Sequence, residues 1–247
     1  MSNTRNVKLV VEYDGTNYRG WQVQPDCPTI QGELERAVKQ ITGETLRITG
    51  AGRTDAGVHA LGQVANFHTS SPMPVEKVRR AMNAVLPDYI VVLGLSEVPE
   101  SFNARHSAKS KRYRYTILNR SSPSALQRYH TIHVAYPLDV AAMKEATGHL
   151  IGTLDFSSFA CNSGKEDDPV RTVMDVLVER RDDYVIVEME AISFLYKMVR
   201  SIVGTLVDVG RGQLKPSDVL GMLMARDRRI SGPTAPARGL TLIRVDY

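Results

Sequence analysis

Hydrophobic positions in the first hundred residues switch between two periods. Val7, Leu9, Val11 and Tyr13 alternate with more polar neighbours, which predicts an opening strand with one buried face. Ile30, Leu34, Val38 and Ile41 then recur at helical spacing, with Thr29 placed to cap the start and Gly43 to end the pattern. Residues 45–50 and 61–68 read as strands. Val75, Val78, Met82 and Val85 give a second helix, opened by Pro74 and stopped before Pro87, and residues 89–98 read as a strand. The resulting order, β-α-β-β-α-β, is that of a ferredoxin-like unit.

The rest of the chain varies that plan. A strand at 111–118, a Ser- and Arg-rich loop at 121–128, a helix from near Asp139 and a loop around 157–168 precede strands at 170–180 and 184–191. A long helix follows over 194–208. Pro216 and Ser217 open a last helix carrying Val219, Leu220, Leu223 and Met224, the Pro- and Gly-rich stretch 231–239 reads as loop, and Leu240–Val245 closes as a strand. The class is α+β in two halves, 1–104 and 105–247, the first holding the loop at Asp55 discussed below.

Composition narrows the function classes. The chain has 247 residues, 43% hydrophobic and 23% charged, as expected for a globular protein with a full core. The longest apolar window, 191–209, contains Lys197, Arg200 and Asp208, so it reads as a buried helix rather than a bilayer span. No opening segment pairs a basic stretch with an apolar core and a small-residue cleavage site, which argues against secretion. Cys27 and Cys161 match no zinc pattern and read as reduced thiols of a cytoplasmic protein. Nor does the spacing of His59 and His68 fit a metal motif.

Net charge is only +4, but the cations are unevenly placed. Arg105, His106, Lys109, Lys111, Arg112 and Arg114 occur without an intervening acid, and Arg226, Arg228 and Arg229 are relieved only by Asp227. Such runs are often no more than solvated faces. Tyr113 and Tyr115 interleave with the first run, as on surfaces that hold phosphates while stacking on bases. Both runs are therefore candidates for phosphate contact, which under the family resemblance given below means RNA backbone.

Between the two middle strands of the first half lies Gly50-Ala51-Gly52-Arg53-Thr54-Asp55-Ala56-Gly57-Val58-His59. Glycines there permit sharp turns and close approach of a ligand. A dinucleotide fingerprint fails because Asp55 occupies its last glycine position, and a P-loop fails because Val58 and His59 replace its Lys and Ser/Thr. Two readings stay open on these residues alone: a carboxylate aimed at a substrate, or an Asx-type turn in which Asp55 bonds its own backbone.

The loop resembles the G-R-T-D-x-G-V-H signature of the TruA family of tRNA pseudouridine synthases. Further blocks resemble that family in the same order: Tyr13 to Gln22, Asn83-Ala84-Val85-Leu86-Pro87, Phe102-Asn103-Ala104-Arg105, Lys111-Arg112-Tyr113-Arg114-Tyr115, Phe194 to Gly204, and Ala235-Pro236-Ala237-Arg238-Gly239-Leu240. Asn103 and His106 depart from the family's usual His and Phe. Those departures bear on RNA contacts rather than on the Asp, Tyr and Arg positions.

The resemblance implies a pseudouridine synthase fold: two ferredoxin-like-derived halves sharing a central antiparallel sheet with an active-site cleft. It implies isomerisation of uridine to pseudouridine at positions 38, 39 and 40 in the anticodon arm of tRNA, by a homodimer, in the cytoplasm, with no metal, nucleotide or other cofactor. Asp55 is then the catalytic carboxylate, acting either as nucleophile at C1′ or as a base on the sugar. Arg200 is the cation that keeps it charged, and Tyr113 stacks on the uracil. Arg53 either fills the space left by a flipped base, the reading the resemblance favours, or holds a phosphate. The rival from another class is a non-catalytic tRNA-binding protein or folding aid, which would have no need of a carboxylate facing an anionic ligand.

Overall fold

The computed structural model describes residues 4–161 and 168–247, so the loop expected around 157–168 lies partly outside the described residues. The chain forms two compact units. One comprises residues 1–109 together with 242–247, and the other residues 110–241.

The first unit follows the predicted order. Its elements are β1 (Arg5–Tyr13), α1 (Ile30–Thr42), β2 (Thr49–Gly50), β3 (His59–Thr69), α2 (Val75–Val85) and β4 (Ile90–Val98). The sheet runs β4-β1-β3, and β2 also pairs with β3. These pairings are antiparallel, with Leu9 opposite both Ala65 and Leu95. Val7, Leu9, Val11 and Tyr13 are all buried, so the alternation read in β1 marks its core face. The helix α1 buries Ile30, Leu34, Ala37 and Val38. The Thr29 hydroxyl accepts from the Gly32 N–H at its start, and Gly43 ends it in the left-handed conformation.

Asn83 shows why one sequence block takes the form it does. Its side chain donates to the Val92 carbonyl at 3.0 Å and accepts from the Val92 N–H at 2.8 Å, fastening α2 to β4. The strand expected over 45–50 shrinks to Thr49–Gly50. Side chains of α1 supply the reason: Glu35 accepts from the Ile48 N–H and Gln31 donates to the Ile48 carbonyl, both at 3.0 Å. Those groups are satisfied without a neighbouring strand. The last residues also belong to this unit. The Tyr247 hydroxyl donates to the Ala104 carbonyl at 2.8 Å, and its ring lies 5.0 Å from that of Phe102.

The second unit contains β5 (Ser110–Leu118), β6 (Ile132–His133), α3 (Val140–Thr147), β7 (Gly152–Asp155), β8 (Val170–Arg181), β9 (Tyr184–Ala191), α4 (Met198–Gly210) and α5 (Asp218–Ala225); β10 (Leu240–Asp246) begins at its end. Its sheet runs β5-β9-β8-β7 with antiparallel pairs, and β6 lies parallel to β5. Asp139 caps α3 by accepting from the Ala142 N–H. The two short strands β6 and β7 carry too few residues to show a period. In α5, Val219 and Leu223 are buried but Leu220 and Met224 are exposed.

The long helix starts four residues later than its apolar pattern suggests. Lys197 adopts a left-handed conformation (φ 59°) immediately before α4. The Tyr196 carbonyl accepts the Cys161 N–H at 3.1 Å, whereas in a continuous helix it would accept the N–H of residue 200. From Met198 onwards the expectation of a buried helix is met: Val199, Ile202, Val203, Leu206 and Val209 are all buried.

Candidate active-site residues

Arg53 and Asp55 lie in the first unit, in the turn between β2 and β3. Tyr113 and Arg200 lie in the second, on β5 and at the start of α4. Asp55 is half-buried, Thr54 before it is buried, and Arg53 is exposed.

The Asp55 loop is held from three sides. The Val58 N–H donates to the Asp55 carbonyl at 3.1 Å, closing a tight turn whose third residue, Gly57, has φ 77°. The Thr54 carbonyl accepts the Trp21 N–H at 3.0 Å, while its hydroxyl lies 2.8 Å from that of Tyr13. Gln63 on β3 donates to the Gly52 carbonyl at 3.0 Å. Burial pushes the Tyr13 phenol up to about 12, although hydrogen bonds with Thr54 and Gln63 oppose the shift. It therefore stays protonated near neutrality, a fixed partner for Thr54.

A second sequence block forms the wall behind this loop. A Cβ at Gly15 would stand 2.0 Å from the Val58 carbonyl oxygen, so the segment after β1 meets the Asp loop backbone to backbone. Arg53 turns outward, with its Nε donating to the Gln22 side chain at 3.1 Å.

Tyr113 is buried, and Phe194 meets it edge to face, with ring centroids 5.1 Å apart and planes at 90°. Tyr115 and Ile117 share its strand face and are also buried, as alternation requires. Arg200 is half-buried in the first turn of α4. Its Nε donates to the Ala235 carbonyl at 2.7 Å, and its own carbonyl accepts the Ala235 N–H at 3.0 Å. That turn carries no acidic residue. A cation at the positive end of a helix costs about 0.3–1 kcal/mol, so this corner is electrostatically suited to an anion.

The basic runs divide once their partners are known. Arg112 donates to Asp175 at 2.9 Å, to Glu188 at 3.2 Å and to Glu190 at 2.5 Å, and Arg114 pairs with Glu188 at 2.7 Å. Arg226 pairs with Asp155, and Arg229 with Asp227. These guanidinium groups are already occupied by acids of their own unit. Arg105, His106 and Lys109, by contrast, are exposed. Sequence reading gave no role to Tyr13 and Thr54, which brace the Asp loop, or to the Ala235 carbonyl, which orients Arg200. The signals for them were that Thr54 lies within the loop signature, that Tyr13 falls on the alternating face of β1, and that Tyr13 and Ala235 begin two of the motif blocks.

Comparison with known proteins agrees with the resemblance. A family model described as tRNA pseudouridine synthase matches residues 9–107 and 146–247. A relative from Thermoanaerobacter, named tRNA pseudouridine synthase A, is 50% identical over 98% of this chain and 100% of its own. Relatives of the same name from Acetivibrio thermocellus and Brevibacillus brevis are 49% and 46% identical, again over 98% of this chain and 100% of theirs. Among solved structures, the archaeal box H/ACA sRNP Nop10-Cbf5 complex contains a chain matched over 96% of this one and 46% of its own, at 13% identity and a TM-score of 0.33.

Proposed function

The chain belongs to the tRNA pseudouridine synthase family, and from that premise we propose that it isomerises uridine to pseudouridine at positions 38, 39 and 40 in the anticodon arm of tRNA. The observation that carries this reading is the end-to-end match to relatives named tRNA pseudouridine synthase A. The protein is an isomerase. In the reaction the N1–C1′ bond breaks, the base turns, a C1′–C5 bond forms, the C5 proton leaves and N1 is protonated. The redox state of the base and sugar is unchanged.

We assign Asp55 as the catalytic carboxylate, which either bonds to C1′ as N1 departs or removes a sugar proton to give a glycal-type intermediate. The bracing by Tyr13, Trp21 and Gln63 supports this assignment, because a nucleophile or base works best when its geometry is fixed before the reaction. Arg200 is the cation that keeps that carboxylate ionised, and its place in an acid-free helix turn suits the role. Tyr113 stacks on the uracil, a contact worth about 1–3 kcal/mol per base. Arg53 fills the space that a uridine leaves on flipping out of the stem.

The same reading has the enzyme work in the cytoplasm as a homodimer, with Asp55 supplied by the first half and Tyr113 and Arg200 by the second. No described helix is long and apolar enough to cross a membrane.

Tritium release from tRNA labelled at C5 of uridine tests the central assignment. Wild-type protein should release the label in EDTA without added nucleotide. Asp55→Ala should bind tRNA and release none. Release by Asp55→Ala at the wild-type rate would overturn the role of Asp55. No release by wild type from unmodified tRNA would leave a tRNA-binding protein.

A further inference from the structure

Arg200 takes its direction from a loop that has no regular structure of its own. Residues 232–236 form neither helix nor strand, yet the Ala235 carbonyl receives the Arg200 Nε–H and the Ala235 N–H returns a bond to the Arg200 carbonyl. Whatever fixes this loop therefore helps to fix the guanidinium.

Several groups hold it. The Gly232 N–H donates to the Thr205 hydroxyl at 2.9 Å, and the Tyr115 hydroxyl donates to the Pro236 carbonyl at 2.7 Å. A Cβ at Gly204 would stand 1.7 Å from the Pro233 carbonyl oxygen, so only glycine lets the loop lie against α4 there. Arg228 grips more of it than any of these. Its Nη1 donates to the Ser231 hydroxyl at 2.6 Å and the Gly232 carbonyl at 3.0 Å, and its Nη2 to the Thr234 hydroxyl at 2.9 Å. Thr234 immediately precedes Ala235.

These partners are neutral oxygens, unlike the carboxylates that occupy Arg112, Arg114, Arg226 and Arg229. Apart from a hydrogen bond to the Cys161 thiol, the guanidinium of Arg228 is spent on shaping a loop. Its Nε is buried without a hydrogen-bond partner among the described residues, a disadvantage that simple packing would not require.

We propose that Arg228 is a positioning residue for the isomerisation, acting through Ser231, Gly232 and Thr234 to hold the Ala235 carbonyl and so aim the Arg200 guanidinium. This rests on the role assigned to Arg200 above. Arg228 itself needs no contact with RNA, which takes it out of the basic run offered as a phosphate-binding segment.

The test compares Arg228→Gln, Arg228→Lys and Arg200→Lys in the full chain, by tritium release and by tRNA binding. Arg228→Gln should lower kcat about 10- to 100-fold, the scale of an ångström-sized misplacement, with KM within about twofold of wild type. Arg228→Lys, which keeps charge and donors, should recover part of the loss. The double variant Arg200→Lys/Arg228→Gln should be no slower than Arg200→Lys alone, since both act on one group.

A large drop in Arg200→Lys with unchanged kcat in Arg228→Gln would overturn the positioning role while leaving Arg200 in place. Wild-type kcat in Arg200→Lys would instead remove the reading on which the proposal rests. A raised KM with intact kcat in Arg228→Gln would make Arg228 an RNA contact and overturn the proposal. Should Arg228→Gln fail to fold, Thr234→Val cuts the last link of the same chain. It should show the same loss in kcat alone, and an unchanged kcat would refute the mechanism.

Discussion

At Gly15, adding one methyl group would press on the Val58 carbonyl and move the turn that carries Asp55. Gly15→Ala should destabilise the protein by about 1–3 kcal/mol, the usual cost of overpacking, read as a lower denaturant midpoint. It should also lower kcat at temperatures where the protein remains folded. Cys161 is tuned by its neighbours. Burial pushes its thiol up, but bonds with Thr234, Arg228 and Ser201 outweigh that and leave it below the usual thiol value of 9.0. In a Cys27→Ser background, alkylation of Cys161 should set in at lower pH than for an ordinary thiol. Replacing Arg228 by Gln should move that profile to higher pH, because the positive charge that favours thiolate is gone. The loop that holds Asp55 and Arg53 was legible in the sequence because glycines and a charged pair stand together between two strand patterns. Arg228 was legible only as a charge. Its partners are two carbonyls and two hydroxyls in a loop without periodicity, together with the Cys161 thiol, and no spacing rule points to them.

Elements follow the sequence where a buried face repeats and depart from it where side chains replace the backbone's usual partners. The strands β1, β3, β4 and β5 and the helices α1 and α2 are legible for the first reason. Shortened β2 and late-starting α4 belong to the second, since Glu35 and Gln31 satisfy Ile48 and Cys161 claims the Tyr196 carbonyl. The β5–β9 pairing carries its own prediction. Arg112 stands opposite Glu190 and Arg114 opposite Glu188, so opposite charges face each other across the ladder. Burial pushes the Glu188 carboxyl up, but Arg114 and Arg112 more than offset this and hold it below the usual 4.5. A lowered native value means that Glu188 contributes stability above pH 4.5, and that this is lost as the pH falls through the native value. Glu188→Gln should therefore unfold at lower urea than wild type at pH 7, by roughly 1 kcal/mol, with the two converging in acid.

Across the molecule, a formal charge of +4 understates how many cations are already neutralised locally. Binding of tRNA should weaken as salt rises, and the slope should depend on the exposed cations rather than on the runs as written. Replacing Arg105 and Lys109 by Gln should reduce the slope of log K against log salt by about 1.5–2, whereas Arg229→Gln, already paired with Asp227, should leave it unchanged. Fluorescence titrations between low and moderate salt decide between them. The placement of residues 242–247 in the first unit has a consequence in time. During translation the ribosome finishes β1 to β4 early, but the strand that joins β3 and the tyrosine that closes on Ala104 are made only after all of residues 110–241. The nascent first unit must wait, its β3 edge unpaired by that strand, until residues 242–247 have been added.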